Sequence, residues 1–321
     1  MNLWNTGLLP APKYSTGNNM IYDDKISLLL ATGLDLKEIG NVLARNERDD
    51  EIEKKLRKIG KKYLDRLSIF KQYKKLTFGE KLKEPIIPII GSLPGIGKTT
   101  MAREIATALG ISNVIGGDNF RAVLREFISQ ESNPEFFTSV YESWKFFGRE
   151  NKKNILKGFK TQARIINQAM ERIVADRGIR DGENMVIEYL HFLPSQYNKE
   201  TIKHPSVIPI ILNLKSAALW KERIKLRVKK THFKGGFQRL LDVFDKYKIM
   251  QEYQCQEAKK FNIPVVATDN WGKSVDEVLD IIFARIRKLN KLKGQTKEPK
   301  IIKKLEKERE LDKSKNKIYK H

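Results

Sequence analysis

Eight residues, Ser92-Leu93-Pro94-Gly95-Ile96-Gly97-Lys98-Thr99, stand between a short apolar run, Pro85-Ile86-Ile87-Pro88-Ile89-Ile90, and a segment where Met101, Ile105 and Leu109 recur every four residues before Gly110. The run has the texture of a buried parallel strand, and the later spacing is that of an amphipathic helix. A strand, a glycine-bearing loop and a helix in that order cradle a phosphate chain, because backbone N–H groups turn inward where no Cβ intrudes and the helix N-terminus favours an anion. Lys98 is placed to neutralise the β- and γ-phosphates and the Thr99 hydroxyl to ligate magnesium. The expected nucleotide-binding residues are therefore Pro94, Gly95, Ile96, Gly97, Lys98, Thr99 and Thr100, with ATP and Mg2+ as cofactors. Counting back from Gly97, the first position of the loop is Ser92, with Gly91 just before it. The loop alone does not choose among GTPases, ATPases and kinases.

Further apolar runs at Asn113-Val114-Ile115, Met185-Val186-Ile187, Val207-Ile208-Pro209-Ile210-Ile211-Leu212 and Ile263-Pro264-Val265-Val266 alternate with helical patterns, notably over 152–177. Five strands alternating with helices predict an α/β fold, a P-loop kinase-like parallel five-stranded sheet with helices on both faces. Pro88 and Pro209 weaken two of the strands locally, since proline cannot donate to a ladder. Residues 1–84 read as an N-terminal helical module, regulatory or bracing, in which Asp35 and Glu38 resemble a capping box. Residues 85–288 form the kinase-like domain with a lid near 215–239, and 289–321 a basic tail, helical or disordered. From Arg285 onward the chain carries about fifteen Lys or Arg against about five acids.

A chain of 321 residues with 40% apolar composition can bury one substantial core plus appendages. Its net charge of +23 suits phosphorylated small molecules, nucleic acid or an anionic membrane without choosing among them. Cys255 is the only cysteine, which removes intrachain disulfides and cysteine-based zinc sites and suits a reducing cytoplasm. No stretch approaches the roughly 18 apolar residues of a membrane span, so no membrane partner is expected.

Gly116-Gly117-Asp118-Asn119-Phe120-Arg121 follows the second strand, at the edge where such a sheet presents its ligands. Asp118 is a candidate base for an attacking hydroxyl, and Arg121 a candidate clamp for an anionic substrate or the transferring phosphoryl group. Capping of the following helix is the competing role for Asp118. Arg125 joins them on the substrate side. Glu188 ends the third strand as a candidate for metal-bound water or substrate, and His191 is a further substrate candidate. Between Lys215 and Arg239 a basic stretch broken by Gly235-Gly236 reads as a phosphate-closing lid, with Arg223 and Arg227 on one helix face. Lys98, Asp118, Arg121, Arg223 and Arg227 are thus the catalytic candidates, and Thr99 with Glu188 the metal candidates.

The ordered set Gly117-Asp118-Asn119-Phe120-Arg121-Ala122-Val123-Leu124-Arg125-Glu126-Phe127-Ile128, Asn133-Pro134, Tyr141-Glu142-Ser143-Trp144, Gly158-Phe159 with Gln162, Val186-Ile187-Glu188 with His191 and Pro194, and Ile249-Met250-Gln251-Glu252-Tyr253 resembles the archaeal 2-phosphoglycerate kinase family through most of residues 85–285. The resemblance implies an alcohol-group phosphotransferase that moves the γ-phosphoryl group of ATP to the hydroxyl of 2-phosphoglycerate, giving 2,3-bisphosphoglycerate. Members often carry a nucleotide-binding module ahead of the kinase domain, which residues 20–80 match only in being helical. The alternatives are a polynucleotide or tRNA hydroxyl kinase, whose nucleic acid would follow the basic surface and tail, and a non-catalytic nucleotide-dependent interaction protein. The oligomeric state is not set by the sequence.

Overall fold

The five apolar runs become five strands in the computed structural model, which describes residues 22–43, 48–230 and 237–292, with side chains from 25 and outside 227–230. They are β1 (Ile87–Gly91), β2 (Val114–Gly116), β3 (Val186–Tyr189), β4 (Val207–Asn213) and β5 (Val265–Ala267). All pair in parallel in the order β2-β3-β1-β4-β5. The central β1 is buried throughout, as the unbroken apolar run requires when helices cover both faces.

Pro88 and Pro209 both lie inside strands, and the ladder accommodates each. Ile87 N–H donates to Ser206 O on the β4 side, so the nitrogen of Pro88 faces β3, whose pairing with β1 starts one residue later at Ile89↔Ile187. Ile211 N–H donates to Pro264 O on the β5 side. Pro209, two residues earlier, faces the same side before the first β4–β5 pair, Ile211↔Val265. Pro209 sits where its side of the ladder has not begun, so the missing donor costs little, whereas Pro88 omits one donor on the β3 side, between the Met185 N–H bond to Ile86 O and the first pair, Ile89↔Ile187.

Twelve helices among the described residues surround the sheet. The first four are α1 (Tyr22–Ala31), α2 (Leu36–Val42), α3 (Asp49–Ile59) and α4 (Lys61–Phe78), and all precede β1. Then come α5 (Lys98–Leu109), α6 (Gly117–Leu124), α7 (Lys152–Ile173), α8 (Lys199–Ile202), α9 (Ala217–Lys230), α10 (Gln238–Asp242), α11 (Phe244–Lys260) and α12 (Trp271–Leu289). The helix expected over 152–177 ends earlier as α-helix and widens into a π-helical turn over Val174–Arg180. The capping box at the start of α2 is present: Glu38 N–H donates to Asp35 Oδ1 at 2.8 Å and Asp35 N–H to Glu38 Oε2 at 3.1 Å.

Alternate strand residues enter two apolar clusters, as strand geometry demands. Ile87, Ile89, Ile187 and Ile211 pack with Ile166 and Met170 of α7 and Ala258 of α11. Ile90, Val186, Ile208, Ile210 and Leu212 pack with Met101 and Ile105 of α5 and Val278, Ile282 and Ile286 of α12. The second cluster also contains Leu28 and Leu29 of α1 and Leu67 and Phe70 of α4. The N-terminal helices therefore share their core with the sheet, with α1 against α5 and α4 against α12.

Residues 1–21, 44–47, 231–236 and 293–321 lie outside the described residues, and with them the irregular start, the glycine pair of the expected lid and the basic tail. No helix among the described residues is long and apolar enough to cross a membrane.

Candidate active site

Between the end of β1 at Gly91 and the start of α5 at Lys98, the chain turns through two residues in the left-handed region, Gly95 at φ +85° and Gly97 at φ +116°. Side chains are excluded there twice over. A Cβ on Gly97 would stand 2.6 Å from the Trp271 ring, and one on Gly95 2.8 Å from Ile224. The loop's backbone is tied back from outside: Trp220 Nε1 donates to Pro94 O at 2.8 Å, and Arg223 Nη1 and Thr268 Oγ1 donate to Ile96 O at 3.2 and 3.1 Å. Leu93 N–H donates to Gln251 Oε1 at 3.0 Å, while Gln251 Nε2 holds Leu212 O at 2.9 Å. A loop fixed from behind by side chains of α9, α11 and the end of β5 offers a preformed concavity for an anion. Ser92 is wholly buried beneath it.

Lys98, Thr99 and Glu188 come together at the C-terminal edge of the sheet. Register places Glu188 opposite Ile90 of β1 and Gly116 of β2. Its Oε1 accepts from Thr99 Oγ1 at 3.0 Å, and its Oε2 lies 3.7 Å from the Nζ of the buried Lys98. A hydroxyl and a carboxylate at the mouth of the loop form a hard-oxygen pair of the kind Mg2+ uses when it keeps waters and phosphates as its other ligands.

Beside the loop lies a cavity of about 210 Å³ whose lining includes Pro94, Asp118, Arg121, Tyr141, Leu190 and Arg239. Asp118 is the second residue of α6, whose N-cap position is held by Gly116, so Asp118 is not the N-cap. Arg121, three residues on, projects from the same helix. Its Nη2 donates to Phe136 O at 3.0 Å and to Thr138 O, its guanidinium lies over the Phe136 ring, and its buried Nε has no hydrogen-bond partner. Burial foremost, and the neighbouring Arg125 charge next, push its pKa down to about 10, against a partial counter-effect from Asp118. It remains a cation at neutral pH.

Three sequence candidates have other contacts. Arg125 donates to Phe136 O and Thr138 O and lies over the Phe137 ring, bracing the Pro134–Phe137 turn from outside the cavity lining. His191 is buried against Phe159, and Gln162 faces it at 3.2 Å. Burial, reinforced by the charges of Arg121 and Lys98, holds its pKa well below the ordinary histidine value. Since Gln162 Nε2 donates to Glu135 O and Thr138 O, its Oε1 must accept from His191 Nε2–H, which makes His191 a neutral structural donor. Arg223 spends its guanidinium on Ile96 O, Thr268 Oγ1 and Thr268 O, and lies over the Trp271 ring. It braces the loop here instead of reaching forward as a lid arginine. The Arg227 side chain lies outside the described ones, and Thr100 follows Thr99 on the exposed side of α5.

Gln162 and Gln251 went unassigned in the sequence, yet they hold the acceptor-side turn and the phosphate loop. A signal was there for Gln162, which interrupts an otherwise apolar helix face over Phe159–Ile166 in α7, whereas Gln251 shares the buried face of α11 with Gln254 and Glu257. A buried amide is retained where backbone groups need partners. Trp220 and Thr268 carried no comparable signal, while Arg239 closes the basic stretch expected as the lid.

A glycine loop with Lys98 and Thr99 at the C-terminal edge of a parallel sheet, a carboxylate on the adjacent strand and an acceptor cavity alongside define a P-loop kinase, a phosphotransferase with an alcohol group as acceptor. No family model matches the chain. It is 31% identical over 216 residues to the 2-phosphoglycerate kinase of Methanocaldococcus jannaschii, covering 67% of this chain and 69% of that one. The 2-phosphoglycerate kinase of Methanopyrus kandleri is 28% identical over 247 residues, 77% of this chain and 73% of the relative. The mevalonate-3-phosphate 5-kinase of Thermoplasma acidophilum is 32% identical over 194 residues, 60% of this chain and 94% of the relative. The chain belongs to the 2-phosphoglycerate kinase family.

Proposed function

We propose that the protein transfers the γ-phosphoryl group of ATP to the hydroxyl of 2-phosphoglycerate, giving 2,3-bisphosphoglycerate, in a cytoplasmic setting. The observation that carries this reading is the junction at Pro94, where the phosphate loop and the cavity holding Asp118 and Arg121 share a wall. Magnesium, when bound, screens phosphate charge, and Thr99 and Glu188 are the residues that would hold it. Lys98 neutralises the phosphate chain from the buried side of the loop. Asp118 accepts the proton of the acceptor hydroxyl as its oxygen bonds to phosphorus and ADP departs. Arg121, fixed on two carbonyls, presents its cationic edge to an anionic group of the acceptor.

A second acceptor, mevalonate 3-phosphate, is favoured by one feature: Val140, Leu190, Leu240 and the rings of Tyr141 and Tyr247 give the cavity an apolar wall. A three-carbon acid has little hydrocarbon to place there. The names of the relatives point to small phosphorylated acids, and polynucleotide transfer is not favoured.

The test supplies ATP with each acceptor in turn and follows ADP release and the new phosphate ester by phosphorus NMR. Transfer to 2-phosphoglycerate is expected, and absence of transfer to it overturns the reading. Asp118→Asn should lower kcat by roughly 10²- to 10⁴-fold, the worth of a general base, with ATP affinity retained. Full activity of that variant would remove Asp118 as the base. Lys98→Ala should weaken both nucleotide binding and turnover.

A further inference from the structure

The acceptor cavity is assembled from opposite ends of the sheet. Asp118 and Arg121 reach it on α6, which follows the edge strand β2, while Arg239 and Leu240 reach it on α10, on the chain segment between β4 and β5. Pro94, just after β1, and Leu190, just after β3, lie between them. Among the lining residues, Arg121 and Arg239 are the cations and Asp118 the one acid. Arg121 has given Nη2 to two carbonyls and keeps a buried Nε without a hydrogen-bond partner, which suits it to one anionic group only. A phosphorylated hydroxy acid of either kind carries two, a carboxylate at one end and a phosphate ester on an inner carbon, with the free hydroxyl at the other end. Seating both while the hydroxyl faces Asp118 needs a second cation on a different wall.

We infer that Arg239 is that second anchor: a substrate-positioning residue that binds the anionic group of the acceptor left over by Arg121, and so selects doubly anionic acceptors over singly anionic ones. The inference rests on the kinase reading above and deepens it, and it applies to either acceptor. Arg239 is exposed at the surface of a short helix. An arginine is suited to the task because its planar fork meets carboxylate and phosphate oxygens two at a time.

The experiment compares wild type, Arg239→Gln and Arg239→Lys in steady-state kinetics, with ATP titrated separately. Loss of a charge-assisted contact should raise the acceptor KM of Arg239→Gln roughly 10- to 100-fold, with the ATP dissociation constant held within about twofold. Arg239→Lys should recover part of the loss. The wild-type preference for 2-phosphoglycerate over glycerate should shrink in Arg239→Gln by a similar factor, which a purely structural role would not produce. An acceptor KM within twofold of wild type, or an unchanged preference, overturns the assignment of Arg239 and leaves the kinase reading standing. Failure of the wild type to phosphorylate either acceptor overturns both.

Discussion

Protonating His204 would break a hydrogen bond, because its Nδ1 accepts from Ser206 N–H at 3.2 Å. Burial pushes its pKa down to about 4, and burial likewise holds His191 far below the usual value. In the unfolded chain both rings take up protons near pH 6.5. The folded state thus binds fewer protons than the unfolded state below that pH, so stability is fully present above about 6.5 and falls as the pH drops toward 4. The lowered carboxyls of Asp49 and Asp276 lose their contribution only below the ordinary Asp value, so they leave the interval from pH 7 to 5 undisturbed. Denaturant titrations at pH 7 and 5 should show a loss of about 2 kcal/mol from His204 alone, at 1.36 kcal/mol per pH unit. His204→Asn keeps an acceptor near the Nδ1 position and cannot titrate, so its stability should fall less steeply with acid. Parallel pH profiles for the two proteins would contradict this account.

Among the helices, Arg66 of α4 ties three parts of the chain together. Its Nη1 donates to Thr32 O at 2.8 Å in the turn after α1, and its Nη2 reaches Asp276 Oδ1 at 2.8 Å and Asp280 Oδ1 at 2.6 Å on α12. Lys62, one turn earlier, adds a contact to Asp276 Oδ2 at 2.6 Å. Arg66 is only 2% exposed, whereas the side chains of Asp276 and Asp280 are 34% and 60% exposed. Removing the arginine would therefore strand a buried carbonyl more than it strands the carboxylates, which water can reach. Arg66→Met should cost about 2 kcal/mol, the desolvation penalty of an orphaned buried acceptor plus a weakened helix contact. Arg66→Lys should recover only part, since an ammonium cannot fork to α12 and Thr32 together. Chemical denaturation measures both, and a neutral Arg66→Met would show that the α4–α12 contact rests on apolar packing alone.

For the molecule as a whole, the four N-terminal helices share the core described above, with Phe70 and Phe283 edge to face at 6.1 Å. Deleting residues 1–78 would uncover Ile105, Leu109, Leu279 and Phe283, and several buried side chains at about 1.5–3 kcal/mol each exceed the margin of a typical domain. The shortened protein should aggregate on expression or melt at least about 10 °C lower, and an unchanged melting temperature would show that the kinase core stands alone. The phosphate loop, the five strands and the capping box at Asp35 were legible beforehand because each is encoded by neighbours in the chain: glycines at a fixed spacing, apolar runs of strand length, a carboxylate three residues from its partner. Arg125, Arg223 and His191 suit substrate or phosphoryl contact by residue type alone, while their partners in the fold lie elsewhere in the chain. Trp220 meets Pro94 across 126 positions, Thr268 meets Ile96 across 172, and Arg66 meets Asp280 across 214. A cradle for a nucleotide phosphate and the parallel sheet that carries it are written in local stretches of chain. Which arginines brace the backbone and which line the cavity emerges only on folding, because long flexible side chains settle on whichever carbonyls and carboxylates the packing of distant elements brings within reach.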